Sequence, residues 1–154
     1  MSIYIVESNT VGLHSSHSEE LRRMAKEEYN MVLKITFLLH IVLGAIFGIG
    51  LYIIPEMFLG LFAMGFNDPS TRVLGAALLA LTIGSVLALA TKEWVRVRII
   101  VEVEIFWCIL GLIGAVVHMF LDPMYTMLAG TLLISTLAIL LFLFLIGYFI
   151  QVRD

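Results

Sequence analysis

Four long apolar stretches constrain this chain more than any other feature of its sequence. They cover residues 35–54, 73–91, 99–121 and 126–150, and charged residues or prolines bound the first three of them. A helix that crosses a hydrocarbon core of about 30 Å needs about 20 apolar residues, at a rise of about 1.5 Å per residue. We therefore predict an all-α polytopic membrane protein whose residues 35–154 form a bundle of four transmembrane helices.

Composition excludes several other classes of protein. Of the 154 residues, 61% are apolar and 14% are charged, whereas a water-soluble domain averages about 45–50% apolar and about 25% charged residues. The nine Lys and Arg residues are interspersed with acidic ones, so we expect no nucleic-acid partner. Cys108 is the only cysteine, which excludes an internal disulfide and any site that needs a cysteine pair.

The distribution of basic residues predicts the orientation of the spans. Lys and Arg near the ends of transmembrane helices stay in the cytoplasm. Only Arg72 lies on one side of the predicted spans, and the other eight basic residues lie on the opposite side. These eight are Arg22, Arg23, Lys26, Lys34, Lys92, Arg96, Arg98 and Arg153. We therefore expect a protein of the cell (inner) membrane with both termini in the cytoplasm.

Residues 1–34 form a separate cytoplasmic segment by their pattern. Ser16 and Glu19 fit a capping box at a helix start, and apolar residues recur at helical spacing from Leu21 to Ile35, with charged residues on the other faces. This pattern predicts an amphipathic juxtamembrane helix that runs into the first span. Its apolar stripe could lie on the membrane surface, bind a partner, pack under the bundle or merely position the first span.

Small residues predict where the helices pack, because in lipid they let two backbones approach closely. The second span repeats a small residue every four positions, the first span has two glycines at the same spacing, and the third span has two more. The predicted packing residues are Ala76, Ala80, Gly84 and Ala88, then Gly44 and Gly48, then Gly111 and Gly114. Large apolar residues fill the fourth span from residue 137 to 149, so we expect it to face lipid or a partner subunit.

Ionisable residues inside the spans are the first candidates for function, because an unpaired charge in hydrocarbon costs about 2.5–3.5 kcal/mol. His40 and Glu104 each lie five residues past the inner end of their spans, about 7–8 Å deep, and are therefore expected to meet, with Ser85 or Thr36 nearby. Glu102 has Arg98 four residues before it as an expected ion-pair partner. If the third span begins near residue 105 instead, Glu104 is interfacial.

The remaining polar and aromatic residues of the spans complete the candidate set. His118 lies about 20 Å farther along the membrane normal than His40, so the two cannot share one haem, and we predict no metal and no cofactor. Trp107 is about half a span in and could line a pocket. The predicted ligand-binding candidates are His40, Glu104, Glu102, Ser85 and Trp107.

Motifs of several enzyme classes do not occur in this sequence. It has no HExxH, no phosphate-binding glycine loop and no GxSxG, so we expect no catalytic residues and no enzymatic activity. An enzyme would need an inner pocket that joins His40, Glu102 and Glu104.

A set of short motifs between about residues 45 and 120 resembles a known group. They are Pro55-Glu56-x-Phe58, Asp68-Pro69-x-x-Arg72-x-x-Gly75-Ala76, Lys92-Glu93-Trp94 and Val101-Glu102-x-Glu104-Ile105. They resemble those of short, uncharacterised four-span prokaryotic membrane proteins that are loosely similar to the DoxX group. The resemblance implies a compact four-helix bundle and no activity, and the charged N-terminal segment departs from it.

Two functions from different classes follow as hypotheses. The first is a non-enzymatic small membrane subunit or accessory protein that binds membrane lipid, other membrane proteins or further copies of itself. The alternative is a small binder or carrier of a lipid, a quinone or a cation. In that case His40 and Glu104 line the polar end of a pocket in the inner leaflet.

Overall fold

The computed structural model describes residues 28–62, 68–91, 93–121 and 127–153. Five helices occupy these ranges. They are α1 (Met31–Ile53), α2 (Pro55–Gly60), α3 (Asp68–Thr91), α4 (Trp94–Leu121) and α5 (Met127–Arg153). All but the short α2 are long and apolar enough to cross a membrane. The predicted all-α fold with four spans is therefore confirmed, and the helices extend the predicted spans by a few residues into their charged ends.

The four long helices form a ring in which each contacts two others. α1 packs against α3 and α5, and α4 packs against the same two helices, while α2 lies against α1 and α3. Neighbours in the ring run antiparallel, as the up-and-down path of the chain requires. The centre of the ring is therefore enclosed by all four long helices, and this is where the candidate site lies.

The two ends of the bundle differ in structure, so we name them. The terminal half holds the start of α1, the α3–α4 connection and the end of α5, and the distal half holds the opposite ends. The terminal half comprises residues 28–40, 82–105 and 141–153, and the distal half comprises residues 44–60, 68–79, 108–121 and 130–140.

The hydrophobic core lies in the terminal half. Its buried members are Tyr29, Leu33, Phe37, Ala88, Val97, Val101 and Phe144. The ring of Phe37 meets that of Tyr29 edge-on at 6.1 Å and that of Phe144 at 5.5 Å between centroids, a geometry that aromatic pairs prefer. This core joins α1, α3, α4 and α5 directly below the polar candidate residues.

Asn30 caps the start of α1, and residues 28–30 are not helical. The Asn30 side chain accepts a hydrogen bond from the backbone N–H of Leu33 at 3.0 Å and donates one to the carbonyl oxygen of Gly147 at 2.7 Å. Tyr29 donates to the carbonyl oxygen of Ala88 at 2.9 Å. The expectation of a helix that runs unbroken into the first span is therefore wrong at these residues, because side-chain caps and long-range bonds hold them extended. The predicted capping box and amphipathic stripe before residue 28 lie outside the described residues.

The face of α3 that packs in the bundle is not the predicted one. Ala76 and Ala80 are exposed, Gly84 is half-buried, and of that stripe only Ala88 is buried. The buried stripe is instead Thr71, Gly75, Thr82, Ser85 and Ala88. A Cβ on Gly75 would lie 2.7 Å from the backbone nitrogen of Tyr52. Glycine permits a closer backbone approach than alanine, so the face that carries Gly75 turns toward α1 and its neighbour Ala76 turns out.

The other predicted packing glycines divide into two groups. Gly44 and Gly48 lie against α3, where an added Cβ would collide with Thr82 or Leu79. Gly111 packs on Leu137 of α5 at 3.1 Å from its Cβ position. Gly114 is exposed, and among the described residues no atom lies within 4 Å of its Cβ position, so the prediction that it packs between helices is wrong.

Candidate ligand-binding site

A buried polar cluster lies where the terminal half meets the distal half. It consists of His40 from α1, Ser85 from α3 and Glu104 from α4, which are 4%, 0% and 1% exposed. Nδ1 of His40 lies 2.8 Å from the hydroxyl oxygen of Ser85 and 3.1 Å from Oε1 of Glu104. Ser85 donates its hydroxyl hydrogen to that same Oε1 at 3.1 Å. Three helices thus contribute one polar side chain each to a single hydrogen-bonded group.

Helical periodicity brings these three side chains inward. Ser85 lies on the buried face of α3, between Thr82 and Ala88, and Glu104 continues the buried row Val97, Val101 and Cys108 on α4. His40 stands one turn after the buried Phe37, and its ring packs edge-on against Phe144 at 6.2 Å between centroids. The polar cluster therefore lies against the hydrophobic core, on the side toward the distal half.

Glu104 is buried inside the bundle and does not sit at its surface. The helix that carries it starts ten residues earlier, at Trp94, and the side chain of Glu104 is 1% exposed. Oε2 of Glu104 is buried and has no hydrogen-bond partner within the described residues. A buried oxygen without a partner is costly, so one polar position of the cluster is left unfilled by the side chains described.

A cavity of about 270 Å³ begins at His40 and extends into the distal half. It follows α1 from His40 to Leu51, eleven residues or about 16 Å at the helical rise. Apolar side chains of all four long helices line it, among them Phe47, Leu78 and Leu140, and its polar lining comes from His40, Thr136 and the thiol of Cys108. The cavity is therefore an apolar slot with an imidazole at one end.

The other end of the cavity opens toward the outside of the bundle. Leu74, Gly114 and Leu133 line the cavity and are also exposed on the bundle surface. They come from α3, α4 and α5, all near the distal end. This opening lies opposite to His40, so a long apolar molecule could place its head at the imidazole and its tail in surrounding lipid.

The structure separates Glu102 from the rest of the predicted site. Its carboxylate pairs with Nε of Arg98 at 2.7 Å, as predicted, and accepts a hydrogen bond from the hydroxyl of Tyr148 at 3.2 Å. Its side chain is 39% exposed, whereas Glu104 is buried. The inner pocket that would join His40, Glu102 and Glu104 therefore does not form. Glu102 and Glu104 are two residues apart on one helix, so their side chains leave it in directions about 200° apart.

Of the remaining candidates, Trp107 belongs to the site and His118 does not. Trp107 lines the cavity, as its depth in the span suggests. His118 is exposed near the distal end of α4, far along that helix from Glu104. No three His, Cys, Asp or Glu side chains gather as a metal site in the part of the chain that the structure describes.

Sequence reasoning missed most of the cavity wall. Leu78, Thr136 and Leu137 were not singled out, and only Thr136, a polar residue within the fourth span, carries a signal that sequence alone could have used. Comparisons with models of protein families, with curated proteins and with solved structures found no match. The functional argument therefore depends on the geometry of this chain alone.

Proposed function

We propose that this protein binds an apolar molecule with an oxygen-bearing head in the membrane, as a carrier or receptor. The observation that supports this most directly is the apolar cavity that ends on a buried, hydrogen-bonded histidine. Binding sites for small molecules are usually apolar slots with a few placed polar groups that orient the ligand. Here the imidazole of His40 is the orienting group, and Ser85 and Glu104 hold it in place.

The size of the cavity indicates how much of a ligand it holds. At about 270 Å³ it lies just under the range of about 300–1,000 Å³ that is usual for drug-sized molecules. It therefore accommodates a head ring or the end of a chain, and the rest of a lipid-like ligand extends through the opening at Leu74 and Gly114. The proposal includes the orientation inferred from basic residues, with the terminal half and both termini toward the cytoplasm of a cell (inner) membrane.

Filling the cavity tests this proposal. Ala115 is buried and lines the cavity, so Ala115→Phe places a ring in the ligand's space. Leu110, which is 65% exposed on the same helix, gives the matched control Leu110→Phe. After purification in mild detergent, mass spectrometry of the extracted lipid should find one apolar species in stoichiometric amount with the wild type and with Leu110→Phe, and not with Ala115→Phe.

Two results contradict the proposal. One is a wild-type protein whose extract contains only the bulk lipid composition of the membrane. The other is an Ala115→Phe variant that folds and retains the same species in the same amount as the control. His40→Leu should reduce the amount of bound species without the steric block, because it removes the head contact and leaves the apolar slot.

A second proposal is the accessory subunit, which the outer surface of α3 favours. Ala76 and Ala80 lie exposed on this surface, whereas surfaces that meet only lipid are usually filled with large apolar side chains. In membranes, Ala80→Cys in a Cys108→Ala background should cross-link to a second copy or to another protein. Ile113→Cys, at a 56% exposed position on α4, is the control, and equal cross-linking at both positions contradicts this proposal.

A further inference from the structure

The cross-section of the cavity is that of a single hydrocarbon chain. The cavity of about 270 Å³ follows α1 for about 16 Å from His40 to Leu51, and α4 for about 12 Å from Trp107 to Ala115. Its mean cross-section is therefore about 17–23 Å². An apolar cavity of about 150 Å³ holds one benzene, or about 25 Å³ per carbon atom. An extended chain with bonds of about 1.5 Å rises about 1.3 Å per carbon and so needs about 20 Å². Two chains therefore do not fit side by side.

The same volumes limit how many carbon atoms the cavity accepts. At about 25 Å³ per carbon, its volume of about 270 Å³ holds about eleven carbons. Over a length of about 12–16 Å, an unbranched chain places about nine to thirteen carbons, so length and volume agree for a chain without branches. Methyl branches add volume without adding length, and extra methyl groups in a space that is already filled are destabilising. The dimensions therefore favour one unbranched chain.

The lining of the cavity lacks a partner for a charged head group. No Lys, Arg, Asp or Glu side chain lines it within the part of the chain that the structure describes. The imidazole of His40 is already engaged, because its Nδ1 lies 3.1 Å from the carboxyl oxygen of Glu104 and 2.8 Å from the hydroxyl oxygen of Ser85. An anionic head would therefore lose its hydration without gaining an unpaired cation, which is costly in apolar surroundings.

A hydroxyl group is the head that suits the imidazole of His40 in every state of the ring. A ring nitrogen offers either an N–H donor or a lone pair. A hydroxyl group both donates and accepts, so it pairs with either of them, whereas a carbonyl oxygen only accepts and an ammonium group only donates. This match does not depend on the protonation of His40 or of Glu104.

We propose that the ligand is a long-chain alcohol with one unbranched chain, an assignment that rests on the proposed ligand-binding function. Its hydroxyl group binds at His40, and about eleven carbons of its chain fill the cavity. The rest of a longer chain leaves through the opening at Leu74, Gly114 and Leu133 into the surrounding lipid. Width then excludes lipids with two chains, and the uncharged lining excludes fatty acids and phosphates.

Competition against tritium-labelled dodecanol tests the head and the width separately. The protein is held in phosphatidylcholine nanodiscs, and empty nanodiscs give the background of partitioning into lipid. Three competitors share the main chain of dodecanol and differ from it in one feature each. Dodecane lacks the head group, dodecyl phosphate carries an anionic one, and hexahydrofarnesol keeps the hydroxyl group and adds three methyl branches.

Each competitor should bind more weakly than unlabelled dodecanol, for its own reason. Dodecane should compete about two- to tenfold more weakly, which is the contribution of one hydrogen bond. Dodecyl phosphate should compete at least about tenfold more weakly, because its charge finds no partner. Hexahydrofarnesol should compete at least about fivefold more weakly, because its branches overfill the cavity.

Two variants, each with a matched control, locate these preferences in the cavity. Leu78→Ala removes three carbon atoms from the cavity wall, as many as hexahydrofarnesol adds, and should bring this competitor within about twofold of dodecanol. Leu87→Ala, at a 57% exposed position on the same helix, should not. His40→Leu should make dodecane and dodecanol compete equally, whereas His118→Leu, at an exposed histidine, should keep the advantage of dodecanol.

The wild-type series decides the assignment even where a variant does not fold. Equal competition by dodecanol and hexahydrofarnesol, or by dodecanol and dodecyl phosphate, overturns it. A folded His40→Leu protein that still prefers dodecanol to dodecane overturns it as well. If dodecanol does not bind saturably but Ala115→Phe still removes a co-purified apolar species, the cavity binds a different class of molecule and only this assignment fails. If Ala115→Phe also leaves the co-purified lipid unchanged, the proposed function fails with it.

Discussion

The terminal and distal halves of this bundle use the same four helices in opposite ways. In the terminal half, Tyr29 and six apolar side chains from the four long helices pack as one buried cluster, and Tyr29 adds a hydrogen bond that joins residues 59 positions apart. In the distal half, the same ring of helices leaves about 270 Å³ unfilled and opens at its rim. From this difference we infer that the terminal half can supply the free energy of unfolding that the distal half lacks.

The distal half is not loosely packed throughout. In the distal half α1 and α3 pack closely, with Gly48 and Gly75 at their contact. The open space lies on the other side of α1, toward α4 and α5. The cavity is therefore bounded by one closely packed pair of helices and by α4 and α5.

The largest expected effect is the loss of a core ring in the terminal half. Phe144 is fully buried and contacts the rings of both Phe37 and His40. Phe144→Ala should lower the free energy of unfolding in detergent by about 3–5 kcal/mol. Phe142→Ala is the matched control, because this ring on the same helix is 64% exposed. If both variants lose the same stability, the terminal half is not the stabilising half.

A smaller loss is expected where the distal half is tight. Gly75→Ala places a Cβ 2.7 Å from the backbone nitrogen of Tyr52, which the helices can relieve only by moving apart, at a cost of about 1–3 kcal/mol. Gly114→Ala adds the same atom where no described atom lies within 4 Å and should change the unfolding midpoint little. Two equal midpoints would show that the α1–α3 contact adapts without cost.

A gain is expected where the distal half is hollow. Ala115→Phe fills the cavity, and cavity-filling substitutions commonly add about 0.5–2 kcal/mol. Thermal unfolding of protein stripped of bound lipid should therefore show a higher midpoint than the wild type, while Leu110→Phe on the lipid side shows none. A lower midpoint would mean that the cavity wall cannot accept a ring, and that the hollow half is already packed to its limit.

The smallest effect concerns the hydrogen bond that closes the terminal half. Tyr29→Phe should cost about 0.5–1.5 kcal/mol near neutral pH. Burial raises the pKa of Tyr29 above its ordinary value of 10.0, with a further contribution from Glu28. The stability that Tyr29 contributes is therefore fully present below about pH 10 and is lost as the pH rises through the raised pKa. The unfolding midpoints of the wild type and Tyr29→Phe should stay apart up to about pH 10 and converge above it, and parallel curves would contradict this.

Hydropathy and depth predicted much of this structure because they depend on position along a helix alone. The four spans follow from the length of apolar sequence, and the meeting of His40 and Glu104 follows from their equal distance from the span ends. The partner of Glu102 was equally local, since Arg98 is one turn away. Each of these needs no knowledge of how the helices are rotated.

The sequence could not predict how each helix is rotated about its axis or where the side chains leave a cavity. Ala76 and Gly75 are adjacent, so two small-residue faces about 100° apart compete on α3, and only the backbone contact with Tyr52 shows which one packs. The break at residues 28–30 depends on Ala88 and Gly147, which are far away in sequence. The cavity, finally, is defined by side chains that fail to meet, and no single residue marks such a place.

The cap of α1 links the first described helix to the end of α5. Asn30 donates its backbone N–H to the side chain of Gln151 at 2.6 Å, across 121 residues of chain, and its amide also reaches Gly147. The first span therefore reaches the membrane long before its cap has a partner. Until residues 147–151 are in place, the cap of α1 lacks both of these partners. Closure of the ring between α1 and α5 is thus tied to the end of α5.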